Sequence, residues 1–334
     1  MEFPVRRVVR TGRSLMVCGL VAAMPIDAHA QEHHENLKVL PADITRDELS
    51  EIMLDNLRGL GLRRLAGEGC LFCHEGDLET PRSEWDYASD AKPMKQKARV
   101  MMAMVRAINE EHLPQLEQRV DADLKVTCAT CHAGRTDPRP LPTVLLATYE
   151  SGGIDSVRTR YRRLRARYYG SDAYDFRVGA LIGVAVRMAD QGGIDDAIAL
   201  AALNADVYPD RPSSQRAWVQ LRLERTIDTN GVDAALRELN ELEGDLRRGV
   251  MSPGLLNDLG WRLMRSDREP QAVAILEANY EKFPDQYIPL ESMAFVWSET
   301  EPERAFDILE AWLEKHPDHS RARRLLVNLR GANN

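Results

Sequence analysis

Apolar positions along residues 44–61, ITRDELSEIMLDNLRGLG, recur three or four apart at Leu49, Ile52, Met53, Leu57 and Leu60. That spacing predicts one face of an α-helix. Thr45 and Glu48 form a capping box at its start, and Ile44 and Leu49 are spaced as a hydrophobic staple. Gly59 and Gly61 are the expected stop. A second stripe lies in KQKARVMMAMVRAINEEHLP, residues 95–114, where Ala98, Met101, Val105 and Ile108 share a face and Met104 stands beside it. Both predicted helices therefore carry methionine on the apolar side. Beyond Pro142 the pattern is helical almost throughout, with Gly and Asp-Gly breaks. Residues 147–176 read as linker and then helix, and no alternating strand pattern appears between there and the C-terminus. The expected class is mostly α: a loop-rich first domain over 31–146 and helical repeats over 177–330.

The first thirty residues differ from the rest. Arg6, Arg7, Arg10 and Arg13 precede an apolar run from Leu15 to Met24, and Ala28-His29-Ala30 supplies small residues at a cleavage spacing. This is the layout of a secretory signal peptide. The run is too short to span a bilayer, and no other candidate span occurs downstream. The mature chain is expected to start near Gln31 in the periplasm, and Cys18 leaves with the leader. Removing residues 1–30 takes away four arginines and two acids, so the net charge moves from −8 to −10. An acidic chain of this length is not read as a nucleic-acid binder, because phosphate contacts draw on a basic surface of clustered Lys and Arg.

Four of the five cysteines fall into two copies of one pattern, CLFCH at 70–74 and CATCH at 128–132. Two disulfides are open to an exported protein, but a bridge closed within CxxC suits redox exchange more than stapling. A four-cysteine zinc site shares the spacing. Neither accounts for a histidine at the same offset twice. Covalent haem attachment does: the thiols of Cys70 and Cys73, and of Cys128 and Cys131, add to two vinyl groups. The turn then carries His74 or His132 to the iron as proximal ligand. Two covalently bound haems c are the expected cofactors. Met53, and one of Met101 and Met104, are candidates for the opposite face of each iron, since a thioether and an imidazole fill both axial positions and raise the potential. His33, His34 and His112 are rivals.

The order NLKVLPADITRDELSEIM, then LG, CxxCH, KARVMMAMVRAIN and VTCATCHAGRTDPRPLP resembles the photosynthetic reaction-centre cytochrome c subunit family over about residues 36–143. The resemblance implies a helix bearing an axial methionine, a turn and CxxCH for each haem, with the haems forming a wire. Met53 matches the first axial position. Met101 and Met104 match two methionines three apart at the second, and Met101 is centred on the stripe. The stretch RRLAGEG before Cys70 is longer than usual for that family. Its photosynthetic members carry four haems, against two motifs here.

The second half resembles about four tetratricopeptide repeats. YPD at 208–210, FPD at 283–285 and HPD at 316–318 rhyme, with prolines 75 and 33 residues apart. With Pro284 closing a repeat, Leu256, Leu259, Gly260, Leu263, Ala272 and Leu276 take its packing positions. Trp218, Leu221 and Ala234 fit a degenerate copy, Ala305 and Leu309 another, and Ala197 and Pro209 the first. Met293 and Ala185 replace the signature glycine. The alternative is an irregular helical bundle. The arginine run 157–167 reads as a solvated helix face. Such repeats offer a surface to a protein or peptide partner.

These features favour a dihaem electron carrier over a catalyst, with a redox donor or acceptor docking at a haem edge and a further partner on the repeats. The alternatives are a peroxidase-like haem enzyme with one open iron site and a scaffold with accessory haems. For the leader, N-terminal sequencing of exported protein is expected to begin at Gln31. A retained, lipid-bearing Cys18 would contradict it.

Overall fold

The computed structural model describes residues 34–62, 68–117, 121 and 123–332. The leader, Gln31, His33 and most of the RRLAGEG stretch lie outside the described residues. The fold is mostly α, with no strand among the described residues. Two compact units divide between Gly134 and Arg135.

In the first unit, α1 (Arg46–Gly59) starts as its sequence requires. The Glu48 amide donates to Thr45 Oγ1 and the Thr45 amide to the Glu48 carboxylate, so two orphan amides of the first turn are satisfied. A short α2 (Glu68–Leu71) leads into the first motif, and α3 (Pro93–Ala107) begins with a proline that lacks only an amide no helix needs there. A π-helical turn, Ile108–His112, prolongs α3, and α4 (Cys128–His132) is the second motif itself.

The second unit opens on α5 (Leu141–Tyr168), which Pro142 starts and which kinks at Gly153 (φ 66°). The segment read from the sequence as linker and then helix, from residue 147, is thus helical from its start. Val157, Tyr161 and Leu164 bury one face of the arginine run, while Arg162, Arg163 and Arg167 are exposed. Four helix hairpins come next: α6 (Val178–Asp190) with α7 (Ile194–Val207), α8 (Pro212–Asn230) with α9 (Val232–Glu243), α10 (Pro253–Met264) with α11 (Glu269–Lys282), and α12 (Tyr287–Thr300) with α13 (Pro302–Lys315). The closing helix is α14 (Ser320–Ala332). The first helices α6, α8, α10 and α12 pack on one another in a row. Each hairpin shares its core with its neighbours: Leu276 of α11 belongs to the cluster of Leu290, Trp297 and Leu309.

The packing positions read from the sequence are buried, from Leu256 and Leu259 to Ala272 and Leu276. A Cβ on Gly260 would stand 2.6 Å from the Leu276 side chain, so the hydrogen is what lets α10 and α11 meet. One position shifts. Ala235, not Ala234, is the fully buried alanine of α9. A single residue, Gly231, joins α8 to α9, whereas four join α10 to α11, but α8 runs four residues further past Trp218 than α10 runs past its counterpart Leu256, so α9 starts one residue later.

The rhyming tripeptides share one backbone. Tyr208 (φ −125°, ψ 61°), Phe283 (−130°, 59°) and His316 (−132°, 67°) each end a helix in the same conformation. The proline after each forbids its predecessor an α geometry. Upstream in the first two copies, buried Asn204 and Asn279 donate to the Val178 and Pro253 carbonyls at the start of the partner helix. Buried Glu224 of α8 takes Arg262 at 2.7 Å and Arg268 at 3.1 Å, and Arg262 also reaches Asp190 of α6. Arg262 therefore ties three successive hairpins, and the buried Glu224 charge is compensated as burial demands. Gly260→Val is expected to destabilise the second unit by about 1–3 kcal/mol through overpacking, measured by urea unfolding.

Candidate haem-binding unit

The last turn of α1 lies on the second motif. A Cβ on Gly59 would come within 2.9 Å of the Ala129 nitrogen and the Cys128 Cβ. Gly61 turns the chain at φ 68°, where a Cβ would overlap the Gly134 carbonyl. The Gly134 amide donates to the Gly59 carbonyl at 2.9 Å, which closes the contact. One turn back, the Cys128 thiol donates to Asn56 Oδ1 at 3.2 Å. Asn56 Nδ2 approaches the sulfur of Met102 on α3 at 4.0 Å.

The first motif is a helical turn: the amides of Cys73 and His74 both donate to the Cys70 carbonyl, at 3.2 and 2.9 Å. Gly69 before it passes so near the Leu62 carbonyl that a Cβ would stand 2.6 Å away. His74 Nδ1 lies 3.2 Å from the Tyr87 carbonyl oxygen. An oxygen accepts only, so Nδ1 carries the proton and Nε2 keeps its lone pair for a metal, the usual outer contact of a ligating histidine. The Tyr87 ring stands edge-on to the imidazole at 5.2 Å. Burial, and behind it the charge of Lys95, holds His74 below the ordinary histidine range, which favours this neutral ring.

The loop that presents Tyr87 is fixed from two sides. Trp85 is buried beneath Gly76, where a Cβ would collide with the indole, and its Nε1 donates to the Asp77 carbonyl. On the other side Lys95, 8% exposed, donates to the carbonyls of Tyr87, Ala88 and Ser89 at 2.9, 2.9 and 2.6 Å. Lys92 donates to the Leu71 carbonyl inside the motif at 2.6 Å. Asp90 collects Lys38 and Arg99 at 2.6 Å each. The Lys38 hydrogen bond first, then those from Arg99 and Asn36, hold its carboxyl well below the usual range.

The second motif is seated by neutral groups. The side chain of Asn109, in the π-helical turn, makes two 2.8 Å bonds to the backbone of Val126. Thr127 and Thr130 form a capping box at the start of α4, and Ala133 ends it in the left-handed conformation, φ 46°. Cys128 and His132 are half-buried and Cys131 is exposed.

Met53 is half-buried on α1, and Met101 and Met104 are 45% and 47% exposed on α3. Val100, Leu54, Leu116 and Leu124 of the same unit are also exposed. A porphyrin placed on CxxCH turns would cover such surface. Among the described residues no three of His, Cys, Asp and Glu converge as ligands to one ion, so the two CxxC pairs do not assemble a zinc site. All four thiols are free, and burial pushes Cys73 and Cys128 up, away from the thiolate that redox exchange or zinc binding uses. The residues present fit haem c. Met102, Asn56, Tyr87, Lys95 and Asn109 were not singled out from the sequence.

Residues 10–155 match the family model of the photosynthetic reaction centre cytochrome C subunit. That stretch holds both CxxCH turns, α1 and α3. It supports a c-type cytochrome with covalent haem and an electron-transfer role. None of the curated proteins compared matches the chain. No helix among the described residues is long and apolar enough to cross a membrane. Gly61→Ala is expected to cost about 1–3 kcal/mol, because alanine is strained at this φ and its Cβ meets the Gly134 backbone. Unfolding of the holoprotein, read at the haem absorbance, measures it.

Proposed function

We propose that this chain is an exported, periplasmic dihaem c-type cytochrome that passes electrons between protein partners, with its helical repeats as a docking domain. The pair of complete CxxCH turns in one compact unit carries the reading. Cys70 and Cys73 hold one haem and Cys128 and Cys131 the other, with His74 and His132 as proximal ligands. Met53 serves the first iron, and Met101 or Met104 the second. Haem supplies a one-electron redox couple; the protein supplies attachment, axial ligands and the surroundings that set the potentials. Axial methionine on both irons favours a carrier, since neither iron then keeps a position for substrate.

The repeats are read as tetratricopeptide-like. The row of first helices and the shared backbone of the three Pro-Asp turns support this. A cleft of about 330 Å³ on that row, lined by Asn257, Trp261, Ile288, Phe295 and Arg321, is where a peptide or protein partner would dock. For the sixth ligand one observation favours a second reading: His34 Nε2 is buried without a hydrogen-bond partner.

Intact mass of the denatured, mature protein is expected to show the chain plus two haems. One haem, or zinc in place of haem, would defeat the reading. Resting spectra should show two low-spin irons, and a high-spin, ligand-accepting iron would point to the enzyme. Met53→His is expected to keep the first haem low-spin and lower its potential, because imidazole stabilises ferric iron more than a thioether does. An unchanged potential would mean that another residue, such as His34, is the ligand.

A further inference from the structure

The proximal side of the first haem site contains a buried cation that haem attachment does not require. Lys95 is 8% exposed, and its ammonium donates to the Tyr87 carbonyl at 2.9 Å. The same oxygen faces His74 Nδ1 at 3.2 Å. A carbonyl has two lone pairs, so one oxygen serves both donors. A carboxylate or a strong carbonyl acceptor behind a ligating histidine makes the ring a better donor to the metal. An ammonium on that acceptor draws its electron density the other way.

We propose that Lys95 is a positioning residue that raises the reduction potential of the first haem, acting through the Tyr87 carbonyl on His74. The inference rests on the reading of CLFCH as a haem c site. Two effects share one sign. Weakening the Tyr87 acceptor leaves His74 a poorer donor, which favours the reduced iron. A positive charge shielded from water also disfavours the oxidised iron, whose charge is greater by one. Asp90, 3.5 Å from Lys95, offsets part of this charge, but it is shared with Lys38 and Arg99, so the cluster stays net positive. The Lys95 bonds to Ala88 and Ser89 hold the loop in place, so geometry and charge come from one side chain. The neutral Asn109 seats the second motif and has no such effect.

The test is a redox titration of the full mature holoprotein, with haem count checked by intact mass. The variant Cys70→Ser/Cys73→Ser, which attaches only the second haem, assigns the two steps. Lys95→Gln is expected to keep both haems and move the first step to lower potential, with the second unmoved. Lys95→Arg, which keeps the charge, should restore it. Asp90→Asn should move the first step the opposite way, and it decides the matter if Lys95→Gln does not fold. Two haems with a first step unmoved in Lys95→Gln, or unmoved in Asp90→Asn, overturn the role of Lys95 and leave the haem assignment standing. A wild-type chain with fewer than two haems removes the assignment and this inference with it.

Discussion

Close backbone approach between the end of α1 and the end of the second CxxCH turn is the constraint on which the first unit depends. Side chains could not make this contact. Gly59 and Gly61 bring main chain against main chain at separations where a Cβ would overlap its neighbours. The hydrogen bond from Gly134 to Gly59 then fixes the distance. Once α1 is seated, Asn56 reaches both the Cys128 thiol and the Met102 sulfur. Helices far apart in sequence are thereby held around a unit with few buried apolar side chains, Ile44, Leu62 and Trp85 among them. Such a unit cannot draw much stability from a hydrocarbon core, and covalent haem is the apolar mass its exposed methionines and leucines would cover.

Polar groups take over where apolar burial is scarce. In the first unit, Lys95 satisfies three carbonyls of a loop that has no secondary structure to do so. In the second, Glu224 takes two arginines and links hairpins that otherwise meet through leucine and alanine. A buried charge is tolerable only with its partners in place. Both sites therefore also specify which elements stand side by side.

The second unit is governed by short-range rules that recur in its helix hairpins. Proline after the second helix of three hairpins fixes one exit conformation. A small residue such as Gly260 lets paired helices approach, and each core runs into the next. Neighbour-to-neighbour packing of this kind leaves the row of first helices as a continuous surface.

What the sequence determined by itself was whatever depends on residues a few positions apart. The capping box of Thr45 and Glu48, the stop at Gly59, the two CxxCH turns and the three Pro-Asp helix ends are local, and local chemistry reads directly from spacing. The core of the helix hairpins was legible for the same reason, since period and residue size mark buried positions such as Leu256 and Ala272. What only the tertiary structure decided lies across longer separations. No spacing rule connects Tyr87 to His74, Lys95 to the 87–89 loop, Asn109 to Val126 or Gly61 to Gly134, because each contact depends on how loops return in space. The segment from residue 147 reads as linker before helix, yet α5 already begins at Leu141, since a proline in the first turn of a helix loses no hydrogen bond. Ala234 was read where Ala235 is buried because the length of α8 and the one-residue turn at Gly231 together set a register that helical periodicity does not contain.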